Sequence, residues 1–380
     1  MKLDPTSLRY MSADEFRVLT AIEVGSRNHD IVPETLIAEL SRLRGGGINK
    51  YISDLIKRKL IASESNSKYV GYKLIYSGYD HLALKTLSRR GSVVSVGNQI
   101  GVGKESDIFV IAGEDEQQAV LKLHRLGRQS FRNVKQKRDY FRPNQSPSWM
   151  YMSRLSAMKE FAFMKVLHEH GFPVPTPIDQ NRHCVVMELI DAFPLRQIDH
   201  IAEPGRLYSE LMDLIVRLAK HGLIHGDFNE FNILVRENGS PVLIDFPQMV
   251  STSHLNAEFY FNRDVDCIRT FFKRRFAYES VLYPKFALNG DKEFDLDVKA
   301  AASGFSRKDQ ANLDKLMQEQ ELHRDDEDPS DEEIVYSDSD NESDSDDDQD
   351  EAEESGSGSD GDYIIEQDRL GNSIRRKRDV

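Results

Sequence analysis

Apolar positions recur three times at helical spacing in the first sixty residues and then give way to alternation. Phe16, Leu19, Ala21 and Ile22 form one stripe behind Ser12, which with Glu15 three residues on has the form of a capping box. Pro33 opens a second stripe of Leu36, Ile37 and Leu40. After the R-G-G-G segment at 44–47, a third predicts Ile48, Tyr51, Ile52, Leu55 and Ile56 facing inward, with Lys50, Lys57, Arg58 and Lys59 outward. L-I-A-S, a polar turn over 64–68 and Y-V-G-Y-K-L-I-Y read as strand, turn and strand. Three helices followed by a β-ribbon is the order of a winged helix-turn-helix, and a further helix over 77 to about 87 leads out of it.

From about Val94 the pattern shortens to strand, glycine turn, strand, loop, strand, through S-V-G-N-Q-I, G-V-G-K-E-S-D-I-F-V-I and A-V-L-K-L-H. Gly101 and Gly103 let backbone approach phosphate closely, and Lys104 and Ser106, with Glu105 between them, offer donors to its oxygens. A plain hairpin turn explains G-x-G-x-x-S equally well. Weight comes from Lys122, nineteen residues after Gly103, where a strand lysine neutralises the α- and β-phosphates of a nucleotide. Its carboxylate partner should lie on the next helix, and the amphipathic stretch 153–168 carries Glu160 near its middle. Met187, Glu188 and Ile190 follow the apolar run C-V-V-M, where a strand would cross between two lobes and offer backbone groups to an adenine edge.

An apolar helix over 207–221, with Leu211, Leu214, Ile215 and Leu218 on one face, delivers the chain to H-G-D-F-N-E-F-N-I-L-V at 225–235. Asp227 and Asn232 stand five positions apart, and Asp245 emerges from V-L-I-D-F-P ten residues after Val235. This spacing suits phosphoryl transfer, in which an acceptor for the nucleophile's proton stands beside magnesium ligands. Asp227 is thus expected as the catalytic base, with Asn232 and Asp245 as the magnesium ligands. Asp245 is also a candidate nucleophile for a transient aspartyl phosphate. A polar hairpin between two core strands is the plainer alternative.

Composition adjusts this picture in three places. The net charge of −14 is local, because twenty acids and no Lys or Arg lie between residues 325 and 362, leaving +6 for the remainder. That segment is too charged and too poor in apolar groups to offset chain entropy, so it is expected to be disordered. Residues 125–142 hold seven basic residues and one acid, with Phe131, Tyr140 and Phe141 interleaved. Arg128, Arg132 and Lys135 of this insert, with Lys57, Arg58 and Lys59, are the expected nucleic-acid contacts. A solvated helix end and a flexible insert are the bland alternatives. The two cysteines, Cys184 and Cys267, form no ligand pattern, and no apolar run is long enough to span a membrane. A soluble intracellular protein is expected. The basic cluster at 375–378 reads either as a nuclear import signal or as a plain charged terminus.

With these motifs in place the chain resembles the RIO family of atypical serine/threonine protein kinases, in its type-2 branch. The resemblance rests on G-V-G-K-E-S-D-I-F at 101–109, L-K-L-H-R-L-G-R at 121–128, S-W-M at 148–150, H-G-D-F-N-E-F-N at 225–232 and I-D-F-P-Q at 244–248. The amino-terminal winged helix selects the branch, and the likeness covers about 1–276. It implies an α+β fold with a winged helix domain at 1–95 and a bilobal RIO kinase domain at 96–322, lobes 96–190 and 191–322; the disordered acidic tail with a basic terminus at 323–380 is read from composition and adds nothing to the resemblance. It also implies ATP and magnesium as cofactors, and a role in late cytoplasmic maturation of the small 40S ribosomal subunit and pre-rRNA processing. The implied partners are the pre-40S particle, its rRNA, and ribosomal and assembly-factor proteins, with the protein in the cytoplasm and shuttling through the nucleus.

Two departures from ordinary kinases bear on mechanism. Phe246-Pro247 replaces Phe-Gly after Asp245, and no Ala-Pro-Glu segment precedes the next helix. His225-Gly226 replaces His-Arg, which removes the arginine that reads activation-loop phosphate. Two rival readings are a small-molecule phosphotransferase of the aminoglycoside-kinase type and a winged-helix nucleic-acid-binding scaffold with a kinase-like module.

Overall fold

The computed structural model describes all residues except 1–2, 4, 44–46, 66–68, 127–148, 287–294, 303–362, 368–372 and 378–380. The expected capping box forms: the Glu15 N–H donates to the Ser12 hydroxyl at 3.2 Å, and the Ser12 N–H donates to the Glu15 carboxylate at 2.6 Å. It starts α1 (Ala13–Gly25), whose expected stripe is buried together with Val18. In α2 (Glu34–Ser41) and α3 (Ile48–Lys57) the buried faces are narrower than predicted. Leu40 and Ile56 lie exposed, and Tyr51 is half-buried with its hydroxyl on Asp14 at 3.2 Å. The ribbon β2 (Ile61–Ser65) and β3 (Val70–Leu74) gains a short third strand, β1 (Val32–Pro33), in the order β1-β3-β2.

The next helix, α4 (Tyr76–Arg89), belongs to two cores at once. Tyr79 and Leu82 pack into the amino-terminal domain, whereas Ala83, Leu84 and Leu87 pack on the sheet that follows. That sheet is antiparallel, with β4 (Ser95–Val102), β5 (Ser106–Ala112), β6 (Gln118–His124), β7 (Pro177–Asn181) and β8 (Cys184–Glu188) in the order β4-β5-β6-β8-β7. The period of two along a strand sorts its side chains. Leu121, Leu123, Cys184 and Val186 face α4, while Val120, Val185 and Met187 join the core on the opposite side with α5 (Trp149–Glu169). Lys122 shares that second face.

The second lobe is built on α6 (Pro204–Lys220) and α7 (Ala257–Phe276). Three short strands, β9 (Phe193–Pro194), β11 (Ile233–Val235) and β12 (Pro241–Leu243), pair in the order β12-β11-β9, and β10 (Leu223–Ile224) pairs with β13 (Val250–Ser251). Near the end of the chain, β14 (Tyr363–Gln367) and β15 (Ser373–Lys377) form an antiparallel hairpin. This corrects the expectation of disorder throughout 323–380. Tyr363, Ile364 and Ile365 give Y-I-I-E-Q a short apolar run, S-I-R-R-K opposes it with Ile374 and three bases, and Gly371-Asn372 supplies a turn signal. The acidic run itself lies outside the described residues.

Candidate active site

Each carboxylate of the site is aimed by a buried phenylalanine beside it. Phe228 follows Asp227 and Phe246 follows Asp245; both are buried, and both meet the His225 ring edge-on at 5.6 and 5.8 Å. The hairpin of β11 and β12 then brings distant residues to one end. Ile233 pairs with Leu243, and one step further the Ile244 N–H donates to the Asn232 carbonyl at 3.0 Å. Asn232 and Asp245 therefore emerge side by side. Asp245 sits in the left-handed region at φ 69°, a conformation that short polar side chains tolerate and that gathers at functional sites.

Asp227 is held from within its own loop. Asn232 Nδ2 donates to Asp227 Oδ2 at 2.9 Å and Asn229 Nδ2 to Oδ1 at 3.0 Å. The backbone of the loop is fixed by Asp264 on α7, which accepts the Gly226 N–H at 2.9 Å and the Phe228 N–H at 3.1 Å. Arg263 donates to the Gly226 carbonyl from the same helix. Burial pushes the Asp264 carboxyl up to about 7, against the pull of those two N–H donors. Gly226 has φ 78°, and a Cβ there would lie 2.7 Å from the Gln248 carbonyl oxygen, so the loop requires glycine at this point.

Across the cleft, Lys122 Nζ donates to Glu160 at 2.8 Å and to Asp245 at 3.0 Å. His124, two residues along the same face of β6, places Nε2 2.6 Å from the other Glu160 oxygen and Nδ1 3.0 Å from the Ser156 hydroxyl. Burial would raise the Glu160 carboxyl, but Lys122 and His124 outweigh it and hold the group down at about 2. Burial likewise opposes the charge of Lys122, and the two carboxylates overcome it, so its pKa is raised. Lys122 thus ties the sheet lobe to the helical lobe through one ammonium.

The remaining predicted residues fall around this centre. The turn from Gly101 to Ser106 joins β4 to β5 and is closed by the Gly103 N–H on the Ser106 carbonyl at 2.8 Å. A Cβ at Gly103 would meet the protein only at 3.5 Å, an ordinary contact, so packing within the chain does not demand glycine there. Met187 is buried at the end of β8, followed by Glu188, whose N–H is already committed to the Thr176 carbonyl at 2.9 Å. The Glu188 carbonyl and the Ile190 backbone are what remain for a base edge. Among the expected nucleic-acid contacts, Lys57 is exposed and Lys59 ends its helix at φ 56°, whereas Arg58 turns back to Glu15 at 3.6 Å. Arg128, Arg132 and Lys135 lie outside the described residues.

Sequence reasoning missed Asn229, His124 and Asp264. Asp264 had a signal: it occupies a core position of α7 between Tyr260 and Ile268, four residues from each, where an acid is out of place unless it is paired. Nothing comparable marks His124.

A RIO domain family model matches residues 107–286, and a model of the Rio2 N-terminal region matches residues 8–90. The serine/threonine-protein kinase rio2 of Schizosaccharomyces pombe is 56% identical over 321 residues, covering 84% of this chain and 93% of that protein. Its Saccharomyces cerevisiae counterpart is 48% identical over 333 residues, covering 81% of this chain and 78% of the relative. The match to the Dictyostelium discoideum protein, 57% identical over 307 residues, covers 81% of this chain but 58% of that longer relative. Among solved structures, the Chaetomium thermophilum Rio2 kinase–ADP/Mg2+–phosphoaspartate complex superposes with a TM-score of 0.77 at 52% identity, over 85% of this chain and 100% of that one. A winged helix feeding a bilobal kinase-like body thus has its relatives along most of its length, and the chain belongs to the Rio2 branch of the RIO family of serine/threonine-protein kinases.

Proposed function

We propose that this kinase hydrolyses ATP with magnesium to time its residence on precursors of the small ribosomal subunit, in preference to modifying a succession of protein substrates. The observation that carries the reading is the shortness of the connection after Asp245. Residues 246–256 alone lead to α7, and within them Phe246 and Met249 are buried and Val250–Ser251 pair with Leu223–Ile224. No length remains for a platform to hold a peptide in register.

The donor set fits a nucleotide and a hard cation. Among the described residues no three His, Cys, Asp or Glu side chains are grouped to hold a metal by themselves. One amide and one carboxylate, Asn232 and Asp245, with phosphate oxygens completing the shell, is how magnesium is ordinarily held. When bound, the cation supplies charge neutralisation at the β- and γ-phosphates. Lys122 neutralises the α- and β-phosphates, and Glu160 orients it. The turn from Gly101 to Ser106, with Lys104, Glu105 and Ser106 over the phosphates, leaves room at Gly103 that a side chain would fill. Met187, the Glu188 carbonyl and the Ile190 backbone border the base.

Asp227, steadied by Asn229 and Asn232, accepts a proton from the attacking group. A second reading of the same site has Asp245 as nucleophile, and the phosphoaspartate in the Chaetomium Rio2 complex favours it. A carboxylate oxygen of Asp245 attacks the γ-phosphorus, and the bond to ADP breaks with its electron pair leaving on ADP. Water then attacks that phosphorus, Asp227 takes the water's proton, and phosphate and free Asp245 are released. The Asp245 side chain is 40% exposed to the cleft, as a nucleophile must be.

The amino-terminal domain, with Lys57 and Lys59 outward and the basic insert between β6 and α5, supports contact with ribosomal RNA and neighbouring assembly proteins in the cytoplasm. A small-molecule phosphotransferase has no use for those surfaces, and a mere scaffold has no need of every catalytic position filled. Sedimentation of wild-type and Asp245→Ala protein with small-subunit precursors tests this. The wild type should leave the particles when ATP is added and the variant should stay; if neither associates, the ribosomal reading is wrong.

A further inference from the structure

The phosphate turn and the amino-terminal domain meet at one side chain. Arg125 follows β6, and its buried guanidinium grips both oxygens of Asp80 on α4 at 2.6 and 2.7 Å. The same guanidinium donates from Nε to Asp107 on β5 at 3.2 Å, and Asp107 also accepts from Gln99 on β4 at 3.3 Å. The Arg125 N–H donates to the Glu105 carbonyl within the turn at 2.5 Å. His183, stacked on Tyr79 at 4.7 Å, completes the cluster with Nε2 2.8 Å from Asp80. Backbone and side chain of Arg125 therefore both hold residues 105–107, and the other prongs of its fork are set by α4.

A buried ion pair is weak evidence for stability, since apolar residues of similar size often serve as well. What a planar guanidinium adds is direction, because its donors fix the angle and spacing of two carboxylates. Here the two carboxylates belong to different domains. The register of β4 on β5 shifts twice before the turn, between Val96 and Gln99 and between Gln99 and Gly101, so regular strand pairing does not carry the turn's position across from β5.

We infer that Arg125 is a positioning residue for nucleotide binding, setting the phosphate turn against α4 through Asp107 and Asp80 and thereby coupling the amino-terminal domain to the ATP site. The inference rests on the nucleotide reading of the turn and is independent of the ribosomal reading. Coupling of this kind is reciprocal: what moves α4 changes affinity for nucleotide, and nucleotide biases α4.

The test uses the full chain and Asp80→Asn, with Glu23→Gln as control. Glu23 on α1 makes a two-pronged pair with Arg182, 2.7 Å on each side, and so joins the same two domains without reaching the turn. KM for MgATP, kcat and the melting temperature are measured for each. Asp80→Asn should raise KM about tenfold, in the ordinary range of coupling, with kcat nearly unchanged. Glu23→Gln should leave KM alone even if its melting temperature falls. A purely structural role would lower apparent kcat through lost folded protein and leave KM untouched. Should Asp80→Asn not fold, Tyr76→Phe takes its place, since the Tyr76 hydroxyl ties α4 to the Leu126 carbonyl at 2.7 Å, and a smaller rise in KM is expected. Unchanged KM in the folded variant, or an equal rise in Glu23→Gln, overturns the inference. Absence of MgATP binding to wild type would overturn the reading of the turn and the inference with it.

Discussion

Glu160→Gln removes one charge from the buried trio of Lys122, Glu160 and His124 while keeping its shape. The Glu160 carboxyl lies at about 2 in the folded protein against 4.5 in a free chain, so its ionised form contributes stability that is present above pH 4.5 and lost as pH falls toward 2. At 1.36 kcal/mol per pK unit the contribution is roughly 3 kcal/mol at pH 7, within the usual cost of breaking one partner of a buried pair. Near pH 3 it shrinks to roughly 1 kcal/mol, because the unfolded chain has already taken up the proton. Denaturant unfolding of wild type and variant at the two pH values reads the difference directly. The variant should also bind MgATP more weakly, because Lys122 then has Asp245 as its one remaining carboxylate. A cost below about 1 kcal/mol at pH 7, or one that does not shrink in acid, would refute the argument.

Three further outcomes follow from the loop geometry. Asp264→Asn can accept only one of the Gly226 and Phe228 N–H groups, and losing a charge-assisted bond of about 1.5–3 kcal/mol should loosen the loop and lower turnover about tenfold or more. Hydrogen exchange at residues 226 and 228 should speed up together with that loss, and unchanged protection would count against it. Gly226→Ala meets the Gln248 carbonyl at 2.7 Å with an unfavourable φ, so it should destabilise by about 1–3 kcal/mol or more, and a cost below about 0.5 kcal/mol in denaturant unfolding would contradict the fit. Burial lowers His225 to about 4 from 6.5, so the unfolded chain takes the proton first and stability is lost as pH falls between those values, by about 3 kcal/mol in all. His225→Gln should flatten the acid limb of the stability curve, and an unchanged slope would exclude this residue as its source.

What could be read in the sequence was whatever a short spacing encodes. Asp227 and Asn232 share one loop, and the apolar runs around Val235 and Leu243 show where a hairpin will return Asp245 to them. Lys122 and Glu160 are 38 residues apart, yet strand period and helix phase each point one way, and the pair forms as expected. Asp264 and Arg125 are different. Their roles exist only because α7 packs under the loop and α4 packs behind the sheet, and no local pattern specifies which polar group a buried charge will meet. The narrower faces of α2 and α3 have the same origin: Leu40 and Ile56 are apolar at plausible helical positions, but the three-helix core is filled before it reaches them. In the tail, charge density hides the short apolar run Y-I-I-E-Q, which pairs as β14 with the basic strand β15.

In the covalent reading of the site, Asp227 and Asp245 carry successive halves of one phosphoryl transfer. It is tested most directly by incubating wild type, Asp227→Ala and Asp245→Asn with magnesium and γ-labelled ATP, quenching in acid, and treating the protein with hydroxylamine. Hydroxylamine-labile label is expected on wild type, more of it on Asp227→Ala because its hydrolysis is blocked, and none on Asp245→Asn. Label confined to serine, or equal labile label on Asp245→Asn and wild type, would contradict it.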